Sequence, residues 1–194
     1  MAIVYFLRHG QTDWNAERRM QGQADIALND KGREQAARNG RVLAGLLGDP
    51  ARYDFVSSPL VRATETMEIL REAMGLTRAG YITDKRLMEI HFGDWQGAQW
   101  DTLGGSWADA VSDRMADPWT SVPPGDGAES NAMLSARVLD WLSQVSRDTV
   151  AVAHGGVMRT LRAHIEDLDA HTMIKLDVPQ DKVLRIDGAA LTWH

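Results

Sequence analysis

The 194-residue sequence has no cysteine, no apolar run long enough to cross a bilayer, no internal repeat and no low-complexity tract. Without cysteine, disulfides and thiolate–zinc sites are excluded, and the compartment is left open. The first apolar run, Ala2 to Leu7, is too short for a membrane span or a signal-peptide core and carries no basic leader. The default expectation is therefore a cytoplasmic protein with no membrane partner. Positive charge is also scarce: 21 Lys and Arg stand against 27 Asp and Glu, a net charge of -6 that argues against a nucleic-acid surface. A small phosphate-bearing partner is still allowed, because a few converging arginines can dominate the field of one cleft. Three motifs are missing as well: a Gly-x-Ser-x-Gly elbow, a Gly-Lys-Ser/Thr phosphate loop and a His-Glu-x-x-His zinc helix. Gly125-Asp-Gly-Ala-Glu-Ser130 neither follows a strand nor completes the dinucleotide-binding pattern.

The chain does carry alternating strand and helix patterns. With 44% hydrophobic and 25% charged residues it reads as one ordinary globular domain spanning 1–194. Residues 2–7 are apolar at both odd and even positions, as in a central strand covered on both faces. A helical stripe (Ala36, Gly40, Leu43, Leu47) follows a cap at Asn29 or Asp30. Strand 53–57 leads to a helix that Ser58 and Pro59 are expected to open as cap and first residue. A short strand at 80–83, a helix at 129–145, a strand at 149–153, a helix at 156–165 and strands at 182–187 and 189–193 complete the pattern. Between them, about 91–128 reads as an irregular, tryptophan-rich segment that covers the substrate. The expected architecture is α/β: a three-layer α/β/α sandwich around a mostly parallel sheet.

Ligands of such sheets bind beyond the carboxyl ends of the strands. Three strands end at Arg8-His9, at Ser57-Ser58 and at His154-Gly155-Gly156. Arg62 falls in the first turn of its helix, and helical side chains lean toward the N-terminus, so it should reach the same edge and join Arg8. Two forked guanidiniums suit phosphate oxygens, and the helix start at Gly155 would add backbone donors. A neutral imidazole in line with phosphorus is a competent nucleophile, with charge on the equatorial oxygens countered without a metal. The leaving alkoxide needs a proton, for which a carboxylic acid raised in pKa by burial is suited. Glu89, Asp84, Asp94 and Asp101 all lie in the right region for it. His91 fits substrate contact or a structural hydrogen bond equally, and His164, His171 and His194 have no metal-ligand spacing.

The stretches Leu7-Arg8-His9-Gly10-Gln11-Thr12-Asp13-Trp14-Asn15, Ser57-Ser58-Pro59-Leu60-Val61-Arg62-Ala63-Thr64-Glu65-Thr66, Leu87-Met88-Glu89 with Phe92 to Gly97, and Val152-Ala153-His154-Gly155-Gly156 occur in that order. Together they resemble the histidine phosphatase superfamily, the phosphoglycerate-mutase-like enzymes. The resemblance implies that His9 is the phosphorylated nucleophile, that Arg8, Arg62 and His154 complete the phosphate pocket, and that Glu89 is the proton donor. It further implies substrate contacts at Thr12, Asn15, Gln21, Gly22 and Gly155, no metal and no cofactor. Glu129-Ser130 resembles the helix start that closes the pocket from the far side.

The family divides into phosphomonoester hydrolases and mutases. Mutases of the family place an arginine directly after the catalytic glutamate, then a lysine and paired arginines; here Ile90 follows Glu89 and Trp100 aligns with the lysine. Arg114 is the one cationic side chain between Leu87 and Ala136. The expectation is therefore a metal-independent hydrolase of a small phosphorylated metabolite, with an uncharged or ring-bearing remainder. A cofactor-dependent phosphomutase and a non-catalytic phospho-ligand-binding module are the alternatives. Sugar phosphates, nucleotide monophosphates, a ribazole phosphate and phosphoproteins all stay open as substrates, and the oligomeric state is unknown.

Overall fold

The computed structural model describes residues 2–194. Strand β1 (Val4–Arg8) runs into a short helix α1 (Asp13–Ala16) and then α2 (Asp30–Leu47). Next come β2 (Asp54–Ser57), α3 (Val61–Ala73) and the two-residue β3 (Ile82–Thr83). Short helical turns, α4 (Ala108–Ala116) and α5 (Asn131–Ser143) lead to β4 (Thr149–Ala153) and α6 (Gly155–Glu166). A short α7 (Ala170–Met173) and the hairpin β5 (Leu184–Asp187) and β6 (Ala190–Trp193) end the chain.

The six strands lie in the order β3-β2-β4-β1-β5-β6. β1, β2, β3 and β4 are mutually parallel, while β5 pairs antiparallel with β1. Strand alternation sorts the core into two layers. Tyr5, Leu7, Val150 and Val152 pack with Leu43, Leu47, Met67 and Leu70 of α2 and α3. Val4, Phe6, Ala151 and Ala153 pack with Leu134, Val138, Val157 and Leu161 of α5 and α6 on the other face. Phe6 and Leu7 are fully buried, which stabilises each side by about 1.5–3 kcal/mol per residue. The unbroken apolarity of β1 thus comes from having a helix layer on each side, and the three-layer α/β/α architecture is present.

That topology places the site. After β1 the chain turns to α2 on one face, and after the adjacent β4 it turns to α6 on the other. Neighbouring parallel strands that hand over to opposite faces leave a crevice at their carboxyl ends. Register puts Arg8 beside Ala153, and Ser57 beside Val152, so all three strands finish at this crevice.

Two local expectations fail. Helix α3 begins at Val61 with Leu60 as its cap residue, and Ser58 does not cap it. The Ser58 hydroxyl lies 2.7 Å from His154 Nε2, so a tertiary contact outcompetes the local cap. The segment 91–128 is also not wholly irregular: α4 occupies Ala108–Ala116, and its buried residue is Arg114. A helix whose inward side chain is charged shows no apolar stripe in the sequence, which is why it was illegible. Among the described residues, no helix is long and apolar enough to cross a membrane.

Candidate active site

The crevice opens into a cavity of about 550 Å3 lined by, among others, Arg8, His9, Asn15, Gln21, Gly22, Arg62, Glu89 and Gly155. These groups come from the end of β1, from α1, from the loop 20–23, from the starts of α3 and α6, and from the segment after β3.

His9 is buried, and its Nδ1 lies 2.7 Å from the Gly10 carbonyl oxygen. A carbonyl only accepts, so Nδ1 carries the proton and Nε2 keeps its lone pair. Arg62 Nε donates to that Nε2 at 3.3 Å, consistent with the same tautomer. Burial first, then the nearby Arg62 and Arg8, hold the His9 pKa well below its ordinary value. The ring is thus neutral, with its unprotonated Nε2 accepting from the Arg62 guanidinium.

Arg62 is fixed at three points, with Nη1 and Nη2 donating to the carbonyls of Ala24 and Gly22 at 2.8 and 2.6 Å. Arg8 donates through Nη1 to Val178 O at 2.9 Å, while its buried Nε has no partner. Burial lowers both pKa values to about 10, partly offset by Glu89, so both side chains stay charged at neutral pH. Asn15 is oriented by its neighbours: Oδ1 accepts from Thr12 N at 3.2 Å and from Gln180 Nε2 at 3.0 Å. The amide nitrogen is thereby left to face the cavity as a donor. Gln180 Nε2 also donates to the His9 carbonyl at 3.0 Å, tying the His9 backbone to Asn15.

Glu89 is only partly buried, less than the burial expected of a proton donor. Its carboxylate accepts from Gly156 N at 3.1 Å through both oxygens and from Ile90 N at 3.0 Å. The start of α6 therefore already holds this side chain, and Gly156 N is not free for a phosphate. Behind Glu89, Arg137 clamps the backbone, donating to the carbonyls of Arg86, Met88 and Glu89 and pairing with Glu129 at 2.8 Å. Glu129 accordingly braces the Glu89 segment from outside the cavity wall.

His154 is fully buried, its ring centroid 5.1 Å from that of His9. Burial, followed by Arg62, His9 and Arg8, pushes its pKa well below the ordinary value. Its Nδ1 is buried without a partner. Thr12 does not line the cavity; its hydroxyl caps α1 by accepting from Asn15 N at 3.2 Å. His91 uses Nδ1 to accept from Gly93 N, which is the structural alternative.

Two residues lie outside the sequence expectations: Gln180, which comes from a distant loop, and Arg159, which lines the same cavity. For Arg159 a signal existed: it is the fifth residue of α6, and the leaning rule applied to Arg62 brings it back to Gly155. Cations absent from segment 87–136 are thus supplied from outside it.

The histidine phosphatase superfamily (branch 1) matches residues 4–193. A glucosyl-3-phosphoglycerate phosphatase from Mycobacterium tuberculosis is 38% identical over 173 residues, 82% of this chain and 73% of its own. A probable phosphoglycerate mutase from Erwinia tasmaniensis is 31% identical over 199 residues, 100% of this chain and 88% of its own. The structure of a mycobacterial glucosyl-3-phosphoglycerate phosphatase complexed with VO3 superposes with a TM-score of 0.73 at 31% identity, covering 100% of this chain and 97% of that one. With nearly the whole sequence matched and the same fold around this crevice, the chain belongs to the histidine phosphatase superfamily.

Proposed function

We propose that this protein hydrolyses small phosphomonoesters through a phosphohistidine at His9 Nε2. The observation that carries this is the state of His9: neutral, protonated on Nδ1, with Nε2 turned toward Arg62 inside the cavity. A substrate phosphate is gripped by Arg8, Arg62 and the Asn15 amide nitrogen. Nε2 attacks phosphorus, the bond from phosphorus to the ester oxygen breaks, and Glu89 gives its proton to the departing alcohol. Glu89 then takes a proton from water, whose oxygen attacks phosphorus and frees Nε2 and inorganic phosphate.

His154 serves as a further donor in this scheme. In this scheme the Ser58 hydroxyl, 2.7 Å away, gives its hydrogen to His154 Nε2, and the proton on Nδ1 serves a phosphoryl oxygen. Fixed donors around a developing charge need no reorganisation at the moment of reaction. Residues 1–194 act in this proposal as one domain, with the segment at about 91–128 as its cover. A cytoplasmic setting is part of it; Val4 to Leu7 of the first apolar run are built into the middle of the sheet. Phosphoglycerate esters, after which both relatives are named, are the first compounds to try.

Release of phosphate from p-nitrophenyl phosphate with EDTA present, lost in His9→Ala, is the expected result. Turnover that persists in His9→Ala would end the proposal. Arginines lining the cavity beyond Arg8 and Arg62 favour one second reading, a phosphomutase. Phosphoryl exchange between mono- and bisphosphoglycerate that outpaces phosphate release would establish it.

A further inference from the structure

The irregular stretch 176–181, between α7 and β5, lies outside the cavity wall, yet groups that form the wall hang on it. Its main-chain carbonyls accept from Arg159 Nε at Leu176 (3.0 Å), Arg162 Nη1 at Asp177 (3.1 Å) and Arg8 Nη1 at Val178 (2.9 Å). Asn39 Nδ2 donates to Gln180 O at 3.0 Å, and Arg38 donates to Asp181 O. Val178 is buried, and the ring of Pro179 fixes φ at that position. Side chains from β1, α2 and α6 thus anchor the main chain on both sides of Gln180.

Gln180 is the side chain through which this stretch reaches Asn15. Its Nε2 donates to the His9 carbonyl and to Asn15 Oδ1, both at 3.0 Å. The direction of these bonds is forced from both ends. The His9 carbonyl accepts only, which fixes the end of the Gln180 amide that points inward. Thr12 N donates only, so Asn15 must offer its oxygen to Thr12 and Gln180 alike. Gln180 is therefore the second of two donors left unpaired if the Asn15 amide turns over and presents oxygen to an anion.

We propose that Gln180 is a positioning residue of the phosphate pocket: acting through Asn15, it keeps the amide N–H turned toward the phosphate. This rests on the phosphate grip of the hydrolase proposal and adds to it a residue that never touches substrate.

The test is Gln180→Glu, which keeps length and shape and replaces the donor by an acceptor. The Asn15 amide then turns its N–H toward the new carboxylate and its oxygen toward the phosphate. With p-nitrophenyl phosphate, kcat/KM is expected to fall by about tenfold to a hundredfold, the range of one charge-assisted contact. The inhibition constant of inorganic phosphate should rise by a similar factor. Acid should reverse part of the loss: partial burial and two facing oxygens hold the new carboxyl above the ordinary range, and its protonation returns a donor hydrogen. The ratio of variant to wild-type kcat/KM should therefore climb from about pH 8 to about pH 5. In Gln180→Met, with nothing to protonate, the ratio should stay flat. In an Asn15→Ala background, Gln180→Glu should lower kcat/KM by about twofold or less.

An unchanged phosphate inhibition constant, a ratio that is flat with pH in Gln180→Glu, or the full loss persisting in the Asn15→Ala background each overturns the proposal. The last outcome would mean that the carboxylate acts by its charge alone. All three leave the hydrolase proposal standing. Should Gln180→Glu fail to fold, Gln180→Met carries the same background comparison, since it loses both donations without adding charge. Should the wild type hydrolyse no ester, the hydrolase proposal falls. The positioning role is then read by calorimetry with inorganic phosphate, whose affinity Gln180→Glu must weaken by about tenfold or more for it to stand.

Discussion

At the scale of single residues the site works by fixing protons. The Gly10 carbonyl chooses the His9 tautomer, and burial with two guanidiniums nearby keeps the ring neutral, so as the proposed nucleophile it needs no base of its own. In the proposed reaction Glu89 moves the proton instead, and its two duties can be separated by leaving group. Glu89→Gln should slow alkyl phosphates by about 10^2 to 10^4, the usual worth of a general acid. With p-nitrophenyl phosphate, a leaving group that departs without help, the same variant should give a fast burst of nitrophenol followed by slow turnover, because water attack still lacks its base. Stopped-flow absorbance reads this directly, and an equal loss for both esters with no burst would remove Glu89 from the donor role. Arg62 donates to the His9 nitrogen and to the carbonyls of Gly22 and Ala24, and in the proposed reaction it grips the phosphate as well. Arg62→Lys keeps the charge and loses the fork, and steady-state kinetics should show kcat/KM down by about a hundredfold.

At the scale of elements, α6 and the segment behind Glu89 are built for one close approach. Gly156, in the first turn of α6, gives its N–H to Glu89, and a Cβ there would collide with the Glu89 carboxylate oxygen. Gly156→Ala should therefore displace the carboxylate without exposing the core. Kinetics should resemble Glu89→Gln, with alkyl phosphates hit hardest, while urea unfolding shifts by about 1 kcal/mol or less. A variant equally impaired on p-nitrophenyl phosphate in the burst phase would mean that His9, and not Glu89, had been disturbed. The same elements show what a sequence reveals. β1, β2 and β4 were legible because strands covered on both faces are apolar throughout, and their common edge follows once they are parallel. Arg62 was legible because its position on a helix decides where it points. Ser58 was misread because its hydroxyl answers to His154, a residue 96 positions away, and not to its own helix. Gln180 was invisible for a similar reason: its role exists only where the loop before β5 meets α1.

At the scale of the whole molecule, placing two histidines and several arginines inside the fold makes stability depend on pH. His9 and His154 are buried with pKa values held well below the ordinary 6.5, mainly by burial. Above that value both folded and unfolded chains keep these rings neutral, and the pair makes no pH-dependent contribution. As pH falls below it, the unfolded chain takes up protons that the folded chain refuses, so the balance moves toward unfolding. Each ring contributes a slope of up to about 1.4 kcal/mol per pH unit, or about 2.7 for the pair, until pH reaches their folded values. Carboxylates lowered by local hydrogen bonds, such as Asp84 beside Arg86, add a loss in the same direction. They do so only near and below the ordinary carboxylate range, which leaves roughly pH 5 to 6.5 to the histidines. Urea unfolding across that window should show stability falling with acid in the wild type, and a flatter profile in the double variant His9→Gln/His154→Gln. The comparison is between slopes, so any change in absolute stability caused by the substitutions drops out. Parallel slopes would mean that the folded protein accepts protons on these rings. The neutral nucleophile on which the phosphohistidine route depends would then be lost in mild acid, and kcat/KM would have to fall below pH 6.5 along with it.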